Sequence, residues 1–331
     1  MSLRRVCGVV AITVVVLALA AALLWSYGRD RFERPGPSIA ETLIYIPAGT
    51  GLEAIALLLE KDGVIDDERL FRIGVRVLRL ARSLKAGEYA FPAGISMQGA
   101  AELLASGVTV VRRLTIAEGL TSSEAMAIVE AAEGLQGSLD AVPPEGSLLP
   151  ETYHYRRGDS RQDIVRRMRS ARDDILVELW AARAAELPVM TPEEAVILAS
   201  IVEKETGIAA ERGLVAGVFV NRLKKGMRLQ SDPTVTYGLT LGQRQLGRNL
   251  NRQDLKTPTD YNTYVIRGLP PGPIANAGRA ALEAVLNPVA TNYLYFVADG
   301  SGGHAFARTL KEHNRNVAKW RKLKKAGGTS Q

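Results

Sequence analysis

The chain has a single cysteine, Cys7, so it forms no intramolecular disulfide and carries no Cys-rich metal site. Its three histidines, His154, His304 and His313, give little material for a His-based site, and neither a metal nor a cofactor is expected. Aromatic residues are sparse, and upstream of the basic C-terminal segment they do not interleave with a basic patch as nucleic-acid binders require. The net charge of +7 does not change this, because Arg308 to Lys325 holds eight Lys or Arg against the single acid Glu312, leaving the rest near zero. Repeats of 20 to 50 residues are absent, which excludes solenoids and propellers. What remains, 331 residues with 47% hydrophobic and 23% charged content, is long and apolar enough for about two folded domains.

One apolar run stands out. From Val6 to Trp25 only Thr13 is clearly polar, and as a helix these residues span about 30 Å, the thickness of a bilayer core. The best small-x-small cleavage site, Ala20 to Ala22, lies inside the run, so an uncleaved transmembrane helix over 6–25 is expected rather than a signal peptide. Segment 1–5 would be its N-terminal flank. Arg4 and Arg5 precede the run while Arg29, Arg31 and Arg34 follow it, so charge counting does not orient it.

Residues 26–38, ending in Arg34-Pro35-Gly36-Pro37-Ser38, read as a linker. Beyond it Thr42 to Pro47 alternates as a strand, and Leu52, Ile55, Ala56 and Leu59 repeat at helical spacing up to Asp62-Gly63. Asp66 and Asp67 open a second helix ending near Arg82, Ala86 to Phe91 reads as a strand, and Ser96 opens a helix to Ala105. A strand over Val108 to Ile116, a helix over Ser122 to Glu133, a loop over 140–150 and a long charged helix from Ser160 to about Glu186 follow. The fold class is α+β, with a small module at 39–107, a larger domain at 108–325 and a tail at 326–331.

The chemistry concentrates after Thr191-Pro192-Glu193-Glu194, a helix start with Thr191 as N-cap, Pro192 at N1 and Glu194 at N3. From Ala195 to Val202 that helix is apolar nearly all round and should be buried on most faces. Glu203-Lys204-Glu205-Thr206 comes next. A carboxyl in an apolar setting keeps its proton near neutral pH, as a general acid must. Glu203 and Glu205 lie about 200° apart on the helix, so they cannot flank one bond as a pair; at most one is the acid, and periodicity does not choose. Gly300-Ser301-Gly302-Gly303-His304 lacks the Lys-Ser/Thr ending of a phosphate loop and reads as a hairpin turn. In the final basic helix, Leu310, His313, Val317 and Trp320 form one packing stripe.

Taken in order, Ala199-Ser200-Ile201-Val202-Glu203-Lys204-Glu205-Thr206, Val218-Phe219-Val220-Asn221-Arg222-Leu223, Gly226 to Thr234, Tyr261-Asn262-Thr263-Tyr264, Gly268 to Ile274 and Tyr293 to Val297 closely resemble the YceG-like endolytic murein transglycosylases. The resemblance extends to Leu149-Pro150-Glu151-Thr152-Tyr153, the N-terminal anchor and a LysM-like module at 39–107. It implies a single-pass protein of the bacterial inner membrane with segment 1–5 as a cytoplasmic N-terminus and its body on the periplasmic or outer side. The implied reaction cleaves the MurNAc–GlcNAc bond of nascent peptidoglycan strands, leaves 1,6-anhydro-MurNAc ends and terminates strand elongation, with peptidoglycan synthases as partners.

Lytic transglycosylases follow their acid with Ser or Thr. By that resemblance Glu205, before Thr206, is the catalytic acid, with Glu203 as support or second choice. Gln230, Asp232, Tyr261, Asn262, Thr263 and Tyr264 are by the same resemblance the substrate-binding set, their amides and rings suited to sugars; Tyr237, Tyr264 and Tyr295 fit a core role as well. Two other readings remain open: a non-catalytic glycan-binding scaffold in which the Glu pair is structural, and a peptidoglycan hydrolase, which would need a second carboxylate such as Asp232.

Overall fold

The computed structural model describes residues 3–327; parts of the expected segment 1–5 and of the tail 326–331 lie outside the described residues. It is a mixed α+β chain that divides into two compact bodies. One holds the chain up to Arg112 together with His154–Asp159, the other Arg113–Tyr153 and the chain from Ser160 onward.

In the first body, α1 runs Leu3–Glu33, about 46 Å of helix. By length and composition it could cross a membrane, and Val9 to Trp25 expose their apolar side chains. The expected linker from residue 26 is corrected: the helix continues through Glu33. Phe32 anchors it, buried in this body's core against Gly74, where any Cβ would collide with the ring. Arg31 and Arg34 each bind Asp66 at 2.8 Å, and Pro35 then disfavours helix at the residue before it.

Strand β1 (Thr42–Ile46), helices α2 (Leu52–Lys61) and α3 (Glu68–Val77), and strand β2 (Gly87–Phe91) follow, with β1 and β2 antiparallel and Thr42 opposite Phe91. Helix α4 (Met97–Ser106), capped by Ser96, closes the core of Ile44, Ile46, Leu59, Phe71, Val75, Tyr89, Phe91 and Leu104. Helix α3 stops at Val77 instead of near Arg82. Arg79 adopts φ 60°, and the amides of Arg79 and Leu80 turn back to the carbonyls of Arg76 and Val75, a Schellman ending with arginine in the usual glycine position. The strand expected over 108–116 shortens to β3 (Arg112–Thr115); before it, Val110 bonds Glu88 without starting a ladder.

The second body is built on α5 (Ser122–Ala131), α6 (Arg161–Ala181), α7 (Pro192–Glu205), α8 (Ala209–Lys224), α9 (Asp232–Thr240) and α10 (Arg279–Leu286), and ends in the hairpin β5 (Tyr295–Ala298) and β6 (His304–Ala307) and helix α11 (Leu310–Gly327). Thr152 of β4 (Thr152–Tyr155) meets Thr115 hydroxyl to hydroxyl at 2.9 Å. Helix α6 ends at Ala181 rather than near Glu186, because the Ala184 amide bonds Leu286 O of α10 at 2.9 Å and Glu186 turns to φ 60°.

Helix α7 is the centre of this body. Ala195, Val196, Leu198, Ala199, Ser200, Ile201 and Val202 are all buried, among α6, α8 and α10. At about 1.5–3 kcal/mol for each buried Val, Leu or Ile, this packing fixes the helix end that carries Glu203 and Glu205. Thr191 caps the start as expected, accepting from Glu194 N; the Glu194 carboxylate, however, turns to Met190 N instead of completing the box.

Candidate active site

Glu203 and Glu205 diverge at the end of α7. Glu203 turns toward α10, accepting from Gly278 N at 3.0 Å, with the Arg212 guanidinium at 3.8 Å. Burial raises its pKa, while the Gly278 amide and Arg212 pull it back. Lys204 donates to Gly119 O at 3.0 Å. Thr206, buried as the C-cap, accepts from Ile208 N at 3.0 Å and shapes the turn into α8.

Glu205 is the last residue of α7 and remains partly open to solvent, yet protein atoms crowd it. That desolvation pushes its carboxyl up to about 7. The Ser231 hydroxyl, buried and without a hydrogen-bond partner, opposes the shift by favouring the carboxylate; the Asp232 charge adds to it, and His304 and Arg222 reduce it.

Three chain segments hold these groups in place. Arg222 of α8 is buried and donates to Leu294 O and Leu229 O, both at 2.6 Å, fixing the 227–230 turn and the start of the hairpin. Gln230 is exposed in a left-handed conformation, φ 52°, a strain of about 1 kcal/mol that the Thr263 contacts maintain. Thr263 accepts Ser231 N through its hydroxyl at 2.9 Å, shares a hydrogen bond with Thr234 at 2.8 Å, and its carbonyl accepts Gln230 N at 3.2 Å. Tyr264 then donates to Asp232 Oδ1 at 2.6 Å. On the far side, His304 Nδ1 meets Glu211 Oε2 at 2.7 Å while its amide binds Glu211 Oε1.

Of the expected sugar contacts, Asp232 and Tyr264 stand near the acid, and Gln230 is exposed one residue before Ser231. Asn262 and Thr263 do not offer side chains to a ligand. Both are fully buried, and the Asn262 amide is spent on Thr257 O at 2.7 Å and on Tyr264 N at 2.9 Å, so these two build the loop that carries Tyr264. The Tyr261 ring packs on Tyr237 with centroids 4.8 Å apart, at the edge of the core. A cleft of about 430 Å³ opens beside α9, lined by Asp232, Lys204, Thr236, Tyr237 and Gly242 among others; it reaches Asp232, and Glu205 is not in its wall. Sequence reasoning missed Ser231 and the Glu211–His304 pair. Ser231 sat within a quoted motif, while His304 was hidden in a glycine-rich turn whose role depends on a partner 93 residues away.

Fold and site together define an α+β protein with a membrane-length N-terminal helix and two desolvated carboxyls at the end of a core helix, one of them raised to about 7. The chain belongs to the YceG-like family, whose model matches residues 44–319. It is 33% identical to the endolytic murein transglycosylase of Bacillus subtilis strain 168, over 89% of each chain. It is 29% identical to the endolytic murein transglycosylase of Streptococcus pneumoniae, over 82% of this chain and 57% of that one. The crystal structure of a YceG-like protein from Listeria monocytogenes superposes with a TM-score of 0.51 at 30% identity, covering 83% of this chain and 98% of that one.

Proposed function

We propose that the protein is a membrane-anchored endolytic peptidoglycan transglycosylase, with Glu205 as its acid. The observation that carries this is the Glu205 carboxyl, held near 7 by burial at the end of a rigid helix. Protonated Glu205 gives its proton to the glycosidic oxygen as the C1–O bond of MurNAc breaks through an oxocarbenium-like state. The resulting carboxylate takes the proton of the C6 hydroxyl, whose oxygen bonds to C1. A 1,6-anhydro end forms, no water is consumed, and Glu205 recovers its proton.

Glu203 supports this arrangement by joining α7 to the start of α10. Asp232 and Tyr264 orient the sugar beside the acid, and Gln230 reaches it from its strained turn. The βααβ arrangement over 42–91 supports a LysM-like strand-binding module within 39–107, and the 108–325 segment is the catalytic domain. Helix α1 holds the protein in the cytoplasmic membrane with both bodies outside, where nascent strands made by peptidoglycan synthases are cut and their elongation ends.

The test is mass spectrometry of products from uncrosslinked glycan strands incubated with the full chain in detergent, beside Glu205→Gln and Glu203→Gln. Anhydro ends that vanish in Glu205→Gln and persist in Glu203→Gln are expected. Reducing ends would identify a hydrolase using a second carboxylate such as Asp232, and strand binding without cleavage would leave a scaffold.

A further inference from the structure

Glu145 lies in the loop between α5 and β4, where sequence periodicity shows nothing, and none of the chemistry above uses it. Its carboxylate nevertheless joins three separate segments of the second body. Oε1 accepts Ser122 N, in the first turn of α5, at 2.7 Å and Asn276 Nδ2 at 3.3 Å; Oε2 accepts the Tyr237 hydroxyl of α9 at 3.3 Å. Each partner is itself fixed. Asn276 also donates to Leu120 O and accepts Leu148 N, and the Ser122 hydroxyl donates to Pro144 O.

The same carboxylate forms the floor under the cleft wall. Gly242 sits at φ 70° with no room for a side chain: a Cβ there would lie 3.0 Å from Glu145 Oε2, 3.0 Å from the Tyr237 ring and 3.2 Å from Thr121. Thr121 Oγ1 donates to Gly242 O at 3.0 Å, which closes the wall onto the cap of α5. Thr121, Tyr237 and Gly242 all line the 430 Å³ cleft that begins at Asp232. Burial raises the Glu145 carboxyl, and the amide and hydroxyl donors act against that shift.

We propose that Glu145 is a positioning residue for glycan binding: it clamps the start of α5, the 274–278 segment and α9 so that the wall of the cleft that reaches Asp232 keeps the shape that holds a sugar of the strand. This rests on the transglycosylase reading. A carboxylate acceptor is stronger than an amide by enough for about tenfold in binding, and Glu145→Gln removes that margin while keeping shape.

The experiment uses the full chain in detergent and uncrosslinked glycan strands, with wild type, Glu145→Gln and Gly242→Ala, reading strand Kd, KM and kcat of cleavage, and amide hydrogen exchange. Glu145→Gln should raise Kd and KM about tenfold with kcat changed less than twofold, and should speed exchange at Ser122 and across 240–246. Gly242→Ala should reproduce the pattern from the opposite side of the contact. Unchanged exchange in Glu145→Gln overturns the clamp, and a loss confined to kcat overturns its role in binding. Should the wild type bind strands without cutting them, the transglycosylase reading fails, while a tenfold weaker Kd in Glu145→Gln still upholds the clamp. A wild type that neither binds nor cuts overturns both.

Discussion

Glu205→Gln should inactivate the protein and stabilise it. The carboxyl rises from an ordinary 4.5 to about 7 in the folded chain, a difference worth roughly 3 kcal/mol. Below pH 4.5 the group is protonated in both folded and unfolded chains, so this full contribution is present. As pH rises from 4.5 to 7 the unfolded chain releases its proton while the folded chain keeps it, and the contribution is lost. Glutamine does not titrate and keeps the size and shape of the acid. The variant should therefore match wild type at pH 4 and exceed it by about 2–3 kcal/mol at pH 9, a melting shift of roughly 5–10 °C for a body of this size. Thermal melting of both full chains in detergent at pH 4, 7 and 9 measures it, alongside release of strand fragments. A variant no more stable than wild type at pH 9 would refute the claim that burial at α7 sets the Glu205 pKa.

Four more outcomes follow from the same geometry. Ser231→Ala removes the donor that favours the Glu205 carboxylate, so the basic limb of the kcat/KM profile should move up by about one pH unit, activity persisting to higher pH. Asp232→Asn removes a negative charge that raises Glu205, so in the same titration the limb should move below 7. Gly146 has φ 72°, and a Cβ there would meet Pro273 at 2.6 Å and Val196 at 3.0 Å, so Gly146→Ala should cost about 1–3 kcal/mol in denaturant unfolding. A chain beginning at residue 27 should melt above one beginning at residue 39, because the shorter one loses buried Phe32, worth about 2–3 kcal/mol.

Much of the architecture is legible in local sequence because local physics decides it. The apolar run after Val6, the Thr191 and Ser96 caps, the Asp62-Gly63 stop and the continuous apolar surface of Ala195 to Val202 each specify an element within a few neighbouring residues. The ends that sequence placed wrongly were decided by partners far along the chain. Helix α1 continues because Phe32 finds Gly74, and α6 stops where the Ala184 amide finds Leu286.

At the site the division is sharper. Helical spacing by itself separated Glu203 from Glu205 by more than half a turn, and this follows from 100° per residue alone. Which carboxylate is desolvated beside Ser231 and Asp232, and which is drawn to Gly278 and Arg212, was decided only by the packing of α8, α10 and the Thr263 loop around the end of α7. The same holds for Asn262, whose amide the sequence offers to a sugar and the fold spends on its own loop. A residue's type and helical phase are fixed by the chain; its pKa and its free hydrogen-bonding groups depend on which distant atoms displace water from it, and those exist only once the core has closed.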